Sequence, residues 1–315
     1  MMSQVQTFRA IVLTVSTMLA VTLAPVDDRA QAEASPASCH ADAGQRVFIP
    51  GGTFTMGAGA LYREEGAPRP RRVADFWIDK YEVSNRQFRE FVDATGYVSI
   101  VEQRPDPART PNIPPELLSI GSAVFTPPDI DNPRGAWWTF VEGAYWAAPT
   151  GPGSNIDTRL DHPVTHIAFE DAQAYAAWVG GYLPDETQWE YAARGGLDGA
   201  TYAWGNTPPN QTPRAANTWQ GMFPVINTKQ DGHDGSAPVG CFDANGYGLH
   251  DMIGNVWEWV QAEDDTDLQG RMKGGSYLCS DNFCRRYRPA ARHAQEKYFS
   301  ASHIGFRVAY DQPDD

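Results

Sequence analysis

The sequence predicts an α+β domain in which regular structure is sparse. Three observations predict it: alternating apolar residues with paired glycines early in the folded region, three short amphipathic stretches with helix-start chemistry, and a C-terminal half rich in Gly, Asn and Trp that lacks a helical period. The 315 residues are 42% hydrophobic and include 10 Trp, 29 Gly and 24 Pro. That supplies a core and argues against a disordered chain. A formal charge of −14 disfavours nonspecific binding to nucleic acid or an anionic membrane, since phosphates attract Lys and Arg.

The elements follow in order. Residues 1–34 read as a cleaved export signal: Arg9 precedes an uncharged apolar run from Ala10 to Val26, and AQA and AEA supply small-x-small cleavage patterns. Localisation is therefore expected to be periplasmic or secreted, or the endoplasmic reticulum lumen in a eukaryote, where disulfides persist. Residues 35–45 read as a linker and 46–312 as a single domain. RVFIPGGTFTMG predicts strand, turn and strand, and DFWIDKYEVS a further strand. A helix follows, with Ser84 and Gln87 at capping-box spacing, Phe88, Phe91 and Val92 on its buried stripe and Gly96 at its end. From about Pro105 to Asp161 the chain is Pro- and Gly-rich, which predicts ordered loops. Two more helices are predicted over Glu170 to Gly181, with Ala172, Tyr175, Ala176 and Val179 on one face, and over Pro184 to Gly196, with Asp185 and Gln188 as its capping pair. The remainder predicts short strands among loops.

The chemistry-bearing residues are few. GGSYLCSDNFCRRYR, from Gly274 to Arg288, sets Cys279 and Cys284 five positions apart. On spacing alone, in an exported protein, this pair reads as a disulfide, a metal site or a catalytic pair. Cys39 and Cys241 are compatible with a second bridge, and four cysteines allow three pairings. RRYRPAAR reads as structural ion pairs. HPVTH sets His162 and His166 four apart, but Pro163 and the β-branched Val164, Thr165 and Ile167 predict extended chain, with the rings roughly 13 Å apart and unable to share an ion. There is no HExxH and no GxSxG, and GAGAL at Gly57 lacks a phosphate-loop lysine and reads as a turn.

Six segments fall in order along the chain: FIPGGTFTMG, DKYEVSNRQFREFVDATGY, DHPVTHIAFEDAQAYAAWVGGYLPDETQWEYAARGG, ANTWQGMFPVINTKQDG, NGYGLHDMIGNVWEW and GGSYLCSDNFCRRYR. Together they resemble the formylglycine-generating enzyme family, the sulfatase-modifying factors, over about Val47 to Val308. The resemblance implies the fold of that family, α+β with little regular structure and related to C-type lectin-like folds. It implies an oxidase that uses molecular oxygen and Cu(I) to convert a cysteine in a CxPxR-type segment of a sulfatase to Cα-formylglycine, activating the sulfatase. Cys279 and Cys284 match the catalytic, copper-binding cysteines, soft donors suited to Cu(I). Ser276 matches an active-site serine and Trp257 a tryptophan walling the pocket.

Two Ca2+ sites are implied as well, with oxygen ligands suited to a hard cation. One comprises Asn217, Thr218 (carbonyl), Asp231 and His233 (carbonyl). The other comprises Asp251, where the family often has Asn, with Gly254 (carbonyl), Val256 (carbonyl) and Glu258. The chain departs from the family between the cysteines, where Phe283 replaces the usual Tyr and Ser280 the common His; that puts rate and substrate choice in question. The partners implied are a sulfatase polypeptide carrying a CxPxR-type motif and molecular oxygen, with no nucleic acid, and the protein is expected to be a monomer. Two alternatives remain: a related exported oxidase with a non-sulfatase substrate, and a noncatalytic binding module on the same fold, against which both retained cysteines speak.

Overall fold

A computed structural model describes residues 39, 44–109, 118–128, 136–212 and 215–312. The expected export signal and the greater part of the expected linker lie outside the described residues. Among those residues no helix is long and apolar enough to cross a membrane.

The early glycine pair does what its spacing predicts. Strands β1 (Arg46–Ile49) and β2 (Gly52–Met56) flank Gly51, whose Cβ position lies 2.7 Å from the Val73 carbonyl oxygen, so a side chain there would collide with backbone. β2 pairs with β3 (Arg69–Val73) and β1 with β4 (Phe76–Asp79), both antiparallel. β4 covers only the start of the longer strand expected there, because the chain bends at Lys80 and Tyr81; Ser84, its backbone extended again, then caps helix α1 (Asn85–Thr95). The Ser84–Gln87 capping box is present, and Gly96 ends the helix in the left-handed region.

The loop-rich stretch holds a hairpin that its composition conceals, β5 (Gly121–Phe125) with β6 (Trp138–Glu142). The expected Pro- and Gly-rich loops at 110–117 and 129–135 lie outside the described residues. Helix α2 (Phe169–Trp178) stops before the predicted end, with Val179 as its C-cap and Gly180 at positive φ. Asp171 replaces the missing cap side chain: its carboxylate takes the Ala168 and Ile100 amides and the Tyr97 hydroxyl. Burial nevertheless pushes that carboxyl up to about 6. Helix α3 (Glu186–Arg194) has the predicted Asp185–Gln188 capping box and ends at Gly195.

The C-terminal half contributes β7 (Trp257–Val260), β8 (Gln269–Lys273), β9 (Arg292–Glu296), β10 (Ile304–Gly305) and β11 (Ala309–Tyr310). Four of them form the sheet β10-β7-β8-β9, and β11 joins β1 and β4 in the order β1-β4-β11. Trp189 and Trp259, both fully buried, anchor the core between α3 and this sheet, with indole nitrogens donating to Glu258 and to the Ile167 carbonyl. Cys39 and Cys241 form a disulfide across 202 residues, which settles the pairing that spacing left open.

HPVTH is not extended throughout. His166 adopts φ 61°, so the chain turns there. His162 faces Ser236, whereas His166 is fully buried against Ser122 at 2.8 Å, itself 2.5 Å from Ser300. The turn sends the two rings to different partners. Burial, joined at His162 by the charge of Arg159, holds both imidazoles near 4, well below their usual range.

Candidate active site

The segment after β8 makes a tight approach to its own return. Gly275 has φ 77°, and a Cβ on it would meet the Arg286 carbonyl at 2.9 Å, so glycine alone lets Ser276 to Cys279 lie against Cys284 to Tyr287. Ser276 is fully buried; its carbonyl accepts the Cys279 amide at 2.9 Å and its hydroxyl the Leu278 amide at 3.3 Å. The Cys284 amide donates to the Ser280 carbonyl and the Ser280 amide to the Cys284 carbonyl, closing a short hairpin.

That hairpin holds the Cys279 and Cys284 sulfurs 3.0 Å apart, both as free cysteines. A disulfide would need about 2.05 Å. Cys279 is buried and Cys284 only partly so, which makes them unequal. Burial, then the neighbouring sulfur, drives the Cys279 thiol well above its usual range. Cys284 is lowered to about 6, first by the hydrogen bond from Cys279 and then, against the cost of burial, by the amide and guanidinium of Arg286. The pair therefore presents a thiolate at Cys284 backed by a thiol at Cys279.

Trp257 lies buried in β7 and packs on the His293 ring at 5.8 Å between centroids. Through His293 it reaches the charged groups of the site, because Arg286 and Glu64 both act on that imidazole, which burial keeps low. The surface beside Cys284 is aromatic. Phe283 is 55% exposed and stacks on Phe223 at 4.6 Å and 16°, with Trp137 edge-on at 5.5 Å. Asn282 ties Phe223 to the hairpin, its amide group exchanging hydrogen bonds with the Phe223 carbonyl and amide. The Trp219 amide donates to the Cys279 carbonyl at 3.0 Å. Met222 and Ile226 leave the same patch largely uncovered.

Of the first set of candidate calcium residues, Asp231 meets the backbone of His233 and of Thr218. Asp231 accepts the His233 amide with one carboxylate oxygen, while the other is buried without a partner. The Asn217 side-chain nitrogen is committed to the Gly235 carbonyl and to Asn255, which leaves its oxygen as an acceptor. The second set is built on unusual backbone. Asp251 and Asn255 have positive φ, and a Cβ at Gly254 (φ 83°) would strike the Asn217 carbonyl at 2.2 Å. Asp251 gives one carboxylate oxygen to the Gly240 amide and leaves the other buried without a partner. Glu258 holds Arg307 through both oxygens at 2.7 Å and also takes the Trp189 indole.

Glu82, which the sequence did not single out, completes this cluster: it binds the Asn255 side chain and the Val256 amide, and burial followed by Asp251 and Glu258 pushes its carboxyl up. Three buried carboxylates thus face the single guanidinium of Arg307, an excess of acid that a bound cation would relieve. Among the described residues no three His, Cys, Asp or Glu side chains converge on a point, so any cation here relies on backbone and amide oxygens, as the expected ligand sets do.

The profile described as "Sulfatase-modifying factor enzyme 1-like domain" matches residues 31–312. The chain is 44% identical over 292 residues to the formylglycine-generating enzyme of Mycobacterium tuberculosis, covering 84% of this chain and 97% of that one. It is 42% identical over 285 residues to the formylglycine-generating enzyme of Bos taurus, covering 84% and 74%. Among solved structures, PvdO from Pseudomonas aeruginosa superposes with a TM-score of 0.57 at 23% identity, covering 85% of this chain and 94% of that one. At that identity the likeness speaks for the fold alone.

Proposed function

Because this chain belongs to the sulfatase-modifying factor family, we propose that it is an oxidase that converts a cysteine of a sulfatase, within a CxPxR-type segment, to Cα-formylglycine. The observation that carries this reading is the pair of free cysteines, 3.0 Å apart, one buried and one partly open. Two soft sulfurs without a hard ligand between them suit Cu(I), and Cys279 and Cys284 are the residues that would hold it. When bound, copper would supply the activation of molecular oxygen.

The chain's own residues do the remaining work. Cys279, buried behind the hairpin, keeps water from one side of the pair, and Cys284 leaves the other side open to a third sulfur from the substrate. Ser276 is fixed by its two hydrogen bonds and aims a buried hydroxyl within this segment. Trp257 and His293 wall the site. Phe283, Met222 and Ile226 offer an uncovered apolar shelf for the peptide that brings the target cysteine. In the overall reaction the substrate's CH2–SH becomes an aldehyde and hydrogen sulfide is released. Dioxygen is reduced to water with two electrons from the substrate and two from a thiol reductant.

Asn217, Thr218, Asp231 and His233, and separately Asp251, Gly254, Val256 and Glu258, would bind Ca2+, whose function is to hold irregular backbone beside the site. We place the mature protein outside the cytoplasm and acting as a monomer. Phe283 in place of tyrosine favours one second reading, an exported oxidase of this family with a different substrate.

The test is a mass spectrum of a CxPxR-containing peptide after incubation in air with the reduced, Cu(I)-loaded protein. Loss of mass matching conversion of cysteine to the aldehyde, absent in Cys279→Ser, supports the proposal. An unchanged peptide with copper bound points to the second reading, and an unchanged peptide with no copper bound sinks both.

A further inference from the structure

Arg286 stands out among the arginines of its segment. The short 3-10 turn Arg63–Glu65, with Tyr62 before it, lies along residues 285–288 like a strap. Arg288 and Glu65 already fasten it: the pair is buried, bidentate, and tied further to the Gly59 carbonyl and the Leu61 amide. Arg285 adds a bond from its amide to the Tyr62 hydroxyl at 3.0 Å.

Arg286 is not needed for that fastening, and it points elsewhere. Its guanidinium lies over the Tyr62 ring at 4.2 Å, one terminal nitrogen pairs with Glu64, and the other donates to the Cys284 sulfur at 3.9 Å. Its Nε is buried without a partner. Glu64 and Tyr62 thus hold a fixed positive charge against the partly open sulfur of the pair.

The charge balance of the proposed site needs such a group. Two thiolates and one Cu(I) carry a net charge of minus one, and a substrate thiolate makes it minus two. In a partly buried site an uncompensated anion is costly. Resting on the copper reading above, we infer that Arg286 is the resident counter-cation of the thiolate–copper site, a positioning residue held in place by Glu64 and Tyr62. Tyr62 restrains the plane of the guanidinium. Glu64 aims it while withdrawing part of its charge.

The sign of the Glu64 effect separates a counter-cation from a clamp. Cu(I) affinity is measured without oxygen by competition with a chromogenic Cu(I) chelator, on the reduced full-length protein and its variants, with thermal unfolding followed alongside. Arg286→Gln is expected to weaken binding by about 10- to 100-fold, the range for a contact with a charged group. Arg286→Lys should restore most of it. Glu64→Gln should leave affinity unchanged or tighten it, because it frees the arginine's charge.

Equal affinity in Arg286→Gln and wild type overturns the inference, as does a Glu64→Gln loss as large as that of Arg286→Gln, which a mechanical clamp would give. If Arg286→Gln does not fold, the other two variants still decide: a loss of about 10-fold or more in either Arg286→Lys or Glu64→Gln overturns the inference. A wild-type protein that takes up no Cu(I) removes the copper reading itself, a failure seen before any variant is compared.

Discussion

The inequality of the two cysteines can be measured without any metal. The perturbation is pH, applied to the reduced, metal-free protein. With Cys284 near 6 against an ordinary value of 9.0, about nine-tenths of its sulfur is thiolate at pH 7, whereas an unperturbed thiol would be about 1% ionised. That gain of about 90-fold is offset by weaker intrinsic nucleophilicity. With a Brønsted slope near 0.45, three pKa units cost about 20-fold, so the rate at pH 7 exceeds that of an ordinary thiol only about fourfold. The rate is therefore a poor reporter, and the midpoint is a good one. Alkylation by iodoacetamide, followed by peptide mass spectrometry over pH 4 to 10, should label Cys284 first with a midpoint near pH 6. Cys279, held protonated by burial, should stay unlabelled until well above it. The sign for stability follows from the lowered value: the thiolate's contribution is present above the unfolded pKa and lost as pH falls through about 6. A midpoint at 8 or higher, or earlier labelling of Cys279, would refute the assignment of thiolate and thiol.

Three further outcomes are expected. Calcium should raise the unfolding temperature of the wild type, and Asp231→Ala should abolish most of that rise, because the unpartnered oxygen of Asp231 is the group that gains a cation; a Ca2+ shift unaltered in this variant argues against the site. Glu258→Ala leaves Arg307 fully buried with backbone carbonyls as its remaining partners, which should destabilise by about 3–5 kcal/mol in denaturant titration; a loss below about 1 kcal/mol would mean that Arg307 finds other compensation. Cys241→Ser opens a link spanning 202 residues, for which the chain-entropy relation gives a loss of about 5 kcal/mol; no change in denaturation midpoint would show that the bridge leaves the unfolded ensemble unconstrained.

What the sequence disclosed follows from how local each feature is. α1 and α3 were legible because a cap and its partner three residues on are a contact within one turn, as Ser84–Gln87 and Asp185–Gln188 show. β5 and β6 were not, since their alternation is short and set among prolines, and strands as brief as β10 and β11 exist only through partners far along the chain. His166 departs from the expected extended path because Ser122, more than forty positions away, receives its ring. In the site, Cys279, Cys284 and Ser276 were readable from one contiguous motif. Arg286 was readable as an ion-pairing residue but not as a neighbour of the thiols, because Glu64 and Tyr62 reach it from the other end of the domain. Glu82 carried no signal at all, its role arising from Asp251 and Glu258 packed beside it.

The sheet order β1-β4-β11 carries a consequence for how the molecule is made. The central strand β4 waits on one side for β11, and Arg46 of β1 rests over the Tyr310 ring at 3.5 Å. Asp79 in β4 likewise takes the Val308 amide and the Tyr310 hydroxyl. The earliest and latest strands of the domain thus share one seam, and a ribosome that has not yet released residues 307–310 holds a polypeptide whose first sheet lacks its edge strand β11. Completion of that sheet therefore waits until residues 307–310 can reach β4. A protease that trims those few residues would act on the earliest strands as surely as on the last.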